Sequence, residues 1–284
     1  MKIAYITDSG TGFSIDEMAR KQIFSLPLQI SVNGKNYFDL EQISVADIIN
    51  NLKLDVSMTT SLPSLGLIED LFDKLKEEGF EKVIAVPICS GLSGTMNALY
   101  LAAQNHAMPI TCIDTYVTAY VEEYCIEYLR KRITDENVEE TQAIKEVNEI
   151  IDSCDTLLIP TDLKHLSKSG RLTPFAYRIA SLLNIKPILR ISKETNGKID
   201  VIDKVRTFKR ALQKALNIMM ERIDSEDYII HIVHVDAYGD ALTFKEAVTK
   251  AFPNNEITID ALCSPVAIHT GLGCIAIQYY KKHH

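Results

Sequence analysis

With 284 residues, 46% of them hydrophobic, the chain can build one large or two modest domains around a buried core. Its formal net charge of −8 argues against nucleic acid as a partner, because phosphate binding needs a strongly basic surface. The opening MKIAYITDSG lacks a basic segment ahead of a long apolar core, and no apolar stretch reaches the roughly 18 residues of a membrane span, so a cytoplasmic location is expected.

In chain order, Lys2 to Thr7 reads as a short buried strand. Ser14 with Glu17 forms a capping-box pattern that starts a helix. Leu28–Val32, Asn33-Gly34 and Lys35–Phe38 read as a hairpin with a two-residue turn, and Ser44 caps the next helix. Ser64 opens a helix whose stripe is Leu67, Ile68, Leu71, Phe72 and Leu75, with Gly79 at its end. Strands at 82–88, 110–114 and 156–160 alternate with helices at 93–106, 116–132 and 136–151, which argues for a parallel α/β sheet. Beyond residue 160 the rhythm changes. A hairpin turns at Asn196-Gly197, helices cover 207–222 and 240–251, and strands cover 228–235, 256–262 and 274–280. A mixed sheet with helices on one face is expected, and a division at 1–160 and 161–284.

Three hydroxyl-rich loops lie beside strand ends or helix starts: Thr7-Asp8-Ser9, Thr59 to Ser64, and Ser90-Gly91-Leu92-Ser93-Gly94-Thr95. Loops at the carboxyl ends of strands form the ligand crevice of an open α/β sheet, and helix N-termini favour anions. The pattern points to a carboxylate or phosphate site. Gly91 to Thr95 approximates a nucleophile elbow but has Thr95 where the last glycine belongs; a hydrolase using Ser93 with His269 is the alternative. No P-loop occurs. His231 and His234 fall on opposite faces of one strand, which disfavours joint chelation of a metal. The six cysteines form no C-x-x-C pair and read as buried, reduced thiols. The terminal His283-His284 is assigned no function. Two basic segments, His165 to Arg171 and Lys204 to Arg210, are local exceptions in an acidic chain, and Gly170 suggests a specific turn before Arg171.

Taken in order, Ile6-Thr7-Asp8-Ser9, Thr60-Ser61-Leu62-Pro63-Ser64, Ser90 to Thr95, Leu166 to Arg171, Lys186 to Leu189, Lys204 to Thr207 and His269-Thr270-Gly271 resemble the DegV family of bacterial lipid-binding proteins. The resemblance implies an α/β fold of two domains. The N-terminal one would be a three-layer domain with a parallel sheet, the C-terminal one a two-layer domain with a mixed sheet, and a long-chain fatty acid would lie in a tunnel between them. It implies no catalytic residue and no cofactor or metal. The motifs place Thr60, Ser61, Ser93, Gly94, Thr95, His269 and Thr270 around the ligand carboxylate. Arg171 and Arg206 would handle phosphate or dock a separate fatty acid kinase that makes the acyl phosphate, with transient membrane contact as a further partner. One departure is HTGLG, where the family often has proline at the position of Leu272; it leaves the loop beside His269 less rigid.

Overall fold

The computed structural model describes residues 1–179 and 185–283. The first half contains strands β1 (Ile3–Asp8), β2 (Phe24–Leu26), β3 (Gln29–Val32), β4 (Lys35–Phe38), β5 (Met58–Ser61), β6 (Lys82–Ala85) and β7 (Ile110–Cys112). Its helices are α1 (Ile15–Arg20), α2 (Val45–Lys53), α3 (Leu65–Glu77), α4 (Thr95–Asn105), α5 (Tyr120–Arg130) and α6 (Glu140–Ser153). Next come β8 (Asp155–Ile159), α7 (Lys164–Ser169), α8 (Pro174–Ile179), β9 (Lys186–Ile191), β10 (Asp200–Val205) and α9 (Phe208–Arg222). The chain ends with β11 (Tyr228–His234), α10 (Tyr238–Ala251), β12 (Glu256–Ala261), α11 (Ser264–Thr270) and β13 (Ile275–Lys281).

Local chemistry explains several boundaries. Ser14 and Ser44 both form complete capping boxes, with Glu17 and Asp47 returning to the cap N–H groups. Asn33 and Gly34 have φ of 50° and 83°, the left-handed pair that a type I′ hairpin turn requires. Ser64 stands at the N-cap of α3 but makes no side-chain cap bond.

Three sheets result. A parallel sheet has the order β2-β1-β6-β7, a mixed six-stranded sheet has the order β10-β9-β8-β13-β11-β12, and β4-β3-β5 form a small antiparallel sheet. Alternation along the strands sends side chains to opposite faces. Ala4, Ile6, Val83 and Ala85 pack outward onto α3 and α4, while Tyr5, Ile84 and Val86 pack inward. In the mixed sheet Leu157, Ile230, Ile232 and Ile277 pack outward onto α9 and α10. Leu158, Leu189, Ile229 and Ala276 point inward to the same core as α5, α6 and the inner face of the parallel sheet. The expected three-layer parallel half and two-layer mixed half are present, and they share one apolar interior. No described helix is long and apolar enough to cross a membrane.

Three details differ from the sequence reading. The strand at 155–159, which a division at 160 assigns to the first half, is hydrogen-bonded into the mixed sheet between β13 and β9. The helix expected from 116 starts at Tyr120, because Ala119 N and Thr118 Oγ1 both donate to Gly10 O, at 3.1 and 3.0 Å, and hold Ala119 at φ 62°. The helix expected from Ser93 starts at Thr95.

The halves also cross backbone to backbone. Gly91 lies against the Asn196-Gly197 turn so closely that a Cβ there would meet the Gly197 carbonyl, with Asn196 O at 2.7 Å. The Cys89 thiol donates to Gly197 O at 3.6 Å beside it. Gly91→Ala is therefore expected to destabilise the protein by about 1–3 kcal/mol in urea unfolding. Gly66→Ala, with only Ser64 Oγ at 3.7 Å from the new methyl group, is expected to be neutral or slightly stabilising.

Candidate functional site

The β6–α4 loop, the small sheet, the β9–β10 hairpin and α11 meet around a narrow cavity of about 40 Å³. Its walls are apolar: Leu28 and Ile88 from the first half face Ile191, Ile199 and Val266 from the second. Its polar atoms come from Thr60, Ser61, Ser93, Arg171, His269 and Thr270, which lie far apart in sequence.

His269 sits near the end of α11 and faces the cavity; its Nε2 is 2.7 Å from Thr60 Oγ1 on β5. Burial pushes the imidazole down to about 3, with the positive charges of Arg171 and His165 acting in the same direction. The ring is neutral near pH 7 and offers one N–H and one lone pair. The loop after it is held firmly despite Leu272: Thr161 Oγ1 donates to Leu272 O at 2.9 Å, and Gly273 N donates to Val235 O at 2.8 Å.

Arg171 follows Gly170, whose φ of 71° makes it the left-handed cap of α7 and turns the arginine into the cavity wall. The guanidinium donates through Nε to Leu92 O at 3.3 Å and through Nη1 to Ser169 O. Both acceptors are neutral, and no carboxylate among the described residues pairs with this half-buried charge. Burial lowers its pKa.

The remaining expected residues divide by position. Ser93 faces the cavity with its Oγ 2.8 Å from Thr95 Oγ1 and accepts from Thr95 N at 3.3 Å. Thr95 is buried behind Ser93, and Gly94 is the exposed N-cap of α4; neither lines the cavity. Ser61 stands exposed at the rim. Thr270 reaches the cavity, but its proton goes to Val266 O at 3.0 Å, leaving the hydroxyl only as an acceptor. Arg206 lies exposed on the turn between β10 and α9, outside the cavity lining. Ser93 is bonded to Thr95 and His269 to Thr60, and no carboxylate among the described residues orients the imidazole, so the hydroxyl–imidazole pair that an acyl hydrolase needs is not assembled among them.

The first hydroxyl-rich loop turns inward instead of facing an anion. Thr7 Oγ1 lies 2.8 Å from Val86 O and 3.0 Å from Glu122 Oε1, and Ser9 Oγ donates to Asp39 Oδ2 at 2.7 Å while accepting from Leu28 N at 3.0 Å. Asp8 Oδ1 accepts from Gly10 N at 2.8 Å and Oδ2 from Ile88 N at 3.0 Å. Burial raises Asp8 to about 7 and Asp39 to about 6, and it raises Glu122 further, with the charge of Asp8 adding to that shift. One sign of this network was legible: Glu122, Ile126 and Leu129 share a helical face, which puts a carboxyl on the buried stripe of α5. His231 stacks on Tyr120 at 3.8 Å between centroids, and His234 accepts from Ala237 N. No described group of His, Cys, Asp and Glu could hold a metal ion.

Comparison with known proteins gives a consistent result. The family model described as an uncharacterised protein of the DegV family matches residues 2–282. A DegV domain-containing protein of Clostridium acetobutylicum is 31% identical over 287 residues, covering 99% of each chain. The fatty acid binding DegV family protein of Streptococcus agalactiae superposes with a TM-score of 0.89 at 27% identity, covering 100% of both chains. A stearic acid-binding protein of Eubacterium ventriosum shares the fold, with a TM-score of 0.85 at 20% identity over 99% of each chain.

The buried acid Glu122 generates a prediction. Its folded pKa lies above its unfolded value, so as pH rises from about 4.5 the unfolded chain ionises first and folding loses stability. Other groups titrate in the same range, and comparison with Glu122→Gln isolates this one. The Gln variant is expected to gain stability relative to wild type between pH 5 and pH 7.5, measured by urea unfolding at both values.

Proposed function

Because the chain belongs to the DegV family, we propose that it binds one long-chain fatty acid with the carboxylate at Arg171, and that it presents this carboxylate to a separate kinase for acyl-phosphate formation. The observation that carries the first part is the half-buried Arg171 guanidinium, which lacks a carboxylate partner among the described residues and lines an apolar cavity beside Thr60, Ser93 and His269. A buried charge of this kind is costly until an anion meets it. The binding named for the Streptococcus agalactiae relative points the same way.

Tail and head then divide the work. Burying an acyl chain gains roughly 0.8 kcal/mol per CH₂, so about 14 methylenes contribute roughly 11 kcal/mol before ordering costs. At about 40 Å³ the cavity holds only a few water molecules, so a chain enters by parting the apolar walls. Those walls belong to separate elements of the two halves. The polar cluster fixes which end of the ligand faces the rim.

Presentation to a kinase rests on the family resemblance and on a surface feature. Arg206, with the exposed Lys204, Lys209 and Arg210, forms a basic patch on a chain whose net charge is −8, suited to docking an acidic partner. The chain itself carries out no chemistry in this reading, works in the cytoplasm, and touches the membrane only transiently to exchange ligand.

Mass spectrometry of an organic extract of the native protein tests the carrier reading. A near-stoichiometric long-chain fatty acid is expected; an empty extract with no uptake of added fatty acid would overturn it. Arg171→Gln is expected to weaken fatty acid binding by about 10- to 150-fold, the value of a hydrogen bond to a charged group of about 1.5–3 kcal/mol. Affinity for a fatty alcohol of equal length should remain nearly unchanged, as titration calorimetry of the two ligands would show.

A further inference from the structure

The Asp8 carboxylate does not line the cavity, yet it holds the wall residue Ile88. Both of its oxygens are engaged by backbone N–H groups, Gly10 N at 2.8 Å and Ile88 N at 3.0 Å. Against the upward push of burial, both N–H groups lower the Asp8 pKa and so favour the ionised carboxylate. Directly after Ile88 the chain makes one tight turn: Leu92 N and Ser93 N both donate to Cys89 O, at 3.0 and 3.1 Å. That turn ends in two features of the site. Ser93 enters the cavity, and Leu92 O accepts the Arg171 Nε proton at 3.3 Å.

The surroundings of Glu122 bear on how a carboxylate survives there. Thr7 has one hydroxyl proton and faces both Val86 O at 2.8 Å and Glu122 Oε1 at 3.0 Å. Thr118 likewise faces Gly10 O at 3.0 Å and Glu122 Oε2 at 2.9 Å. Gly10 O already accepts from Ala119 N at 3.1 Å, so the hydroxyl contacts do not fix the proton by themselves; burial, with the charge of Asp8 added, raises the Glu122 pKa well above the usual carboxylate range and favours its neutral form. With Glu122 neutral, Asp8 is the one negative charge of the pair.

We infer that Asp8 is a positioning residue for the head-group site, acting on Ser93 and Arg171 through Ile88 and the Cys89–Leu92 turn; the inference rests on the fatty-acid reading above. An Asn at this position would set NH₂ protons against one of the two backbone N–H groups and displace the turn. The cost falls on the carboxylate end of the ligand and spares the tail.

The test compares a fatty acid with the fatty alcohol of the same length by titration calorimetry. Asp8→Asn is expected to lower acid affinity by about tenfold or more and alcohol affinity by less than about threefold. In a chain already carrying Ser93→Ala and Arg171→Gln, Asp8→Asn should change acid affinity by less than about threefold, because the groups it positions are gone. Equal losses for acid and alcohol, or an undiminished loss in the double-variant background, would overturn the inference. Should circular dichroism show Asp8→Asn unfolded, Glu122→Gln and Glu122→Leu decide. The Gln amide proton replaces the acid proton and should preserve discrimination between acid and alcohol, whereas Leu should reduce it; equal behaviour would overturn the inference. Wild-type protein that takes up neither ligand overturns the fatty-acid reading itself, a result distinct from binding without an Asp8 effect.

Discussion

Two sheets of different topology close on a single apolar interior, so every polar group caught there must find its partner inside the protein. Most do. Asp155 on β8 is met by Arg190 Nε at 3.1 Å and Arg222 Nη1 at 3.5 Å. Gln278 on β13 bridges the halves, donating to Thr118 O and Thr156 Oγ1 at 2.8 Å each and accepting from Val121 N at 3.1 Å. Asp8 is met by the backbone N–H groups of Gly10 and Ile88, Glu122 by the hydroxyls of Thr7 and Thr118, and Asp39 Oδ2 by the hydroxyl of Ser9. Arg171 differs from these charged groups, since no carboxylate among the described residues pairs with it. It is held by carbonyls alone, at the place where apolar walls from both halves approach each other.

The elements that the sequence announced are those whose cause is local. Capping boxes at Ser14 and Ser44, the Asn33-Gly34 turn and the apolar stripe of α3 depend on residues within one or two turns of one another, and they lie where pattern places them. What the pattern could not reveal depends on distant partners. The strand at 155–159 is apolar and follows a helix, so it continues the alternating rhythm of the first half. Its membership of the mixed sheet is set by β13, more than a hundred residues later. The start of α5 is likewise decided by Gly10, over a hundred residues earlier.

The site shows the same division. Of the expected set Thr60, Ser61, Ser93, Gly94, Thr95, His269 and Thr270, all but Gly94 and Thr95 line one cavity. Their individual work was not legible. Whether a hydroxyl meets the cavity or the protein depends on the proton acceptors around it: Ser93 stands at the wall, Thr95 stands behind it, and the Thr7-Asp8-Ser9 loop folds into the core. Arg171 was singled out as a basic residue after a glycine turn, suited to phosphate or a partner. Its place beside His269 follows from the packing of α7 against α11, which no local pattern encodes.

The hydroxyl-rich loops alone left carboxylate and phosphate open as the anion of this site, and only the family resemblance implied the carboxylate. Charge favours the carboxylate proposed above. Burial keeps His269 neutral, so the imidazole contributes a dipole and no charge. His165, half-buried nearby, is also pushed toward its neutral form by burial. Among the described residues, that leaves Arg171 as the one fixed positive charge lining the cavity. A monoanion is matched by one guanidinium with neutral hydroxyl and imidazole partners. A dianion placed among the same apolar walls would carry an uncompensated charge in a medium of low dielectric, where charge is most costly. One charge, neutral donors and apolar walls together support the proposed carboxylate on a hydrocarbon chain.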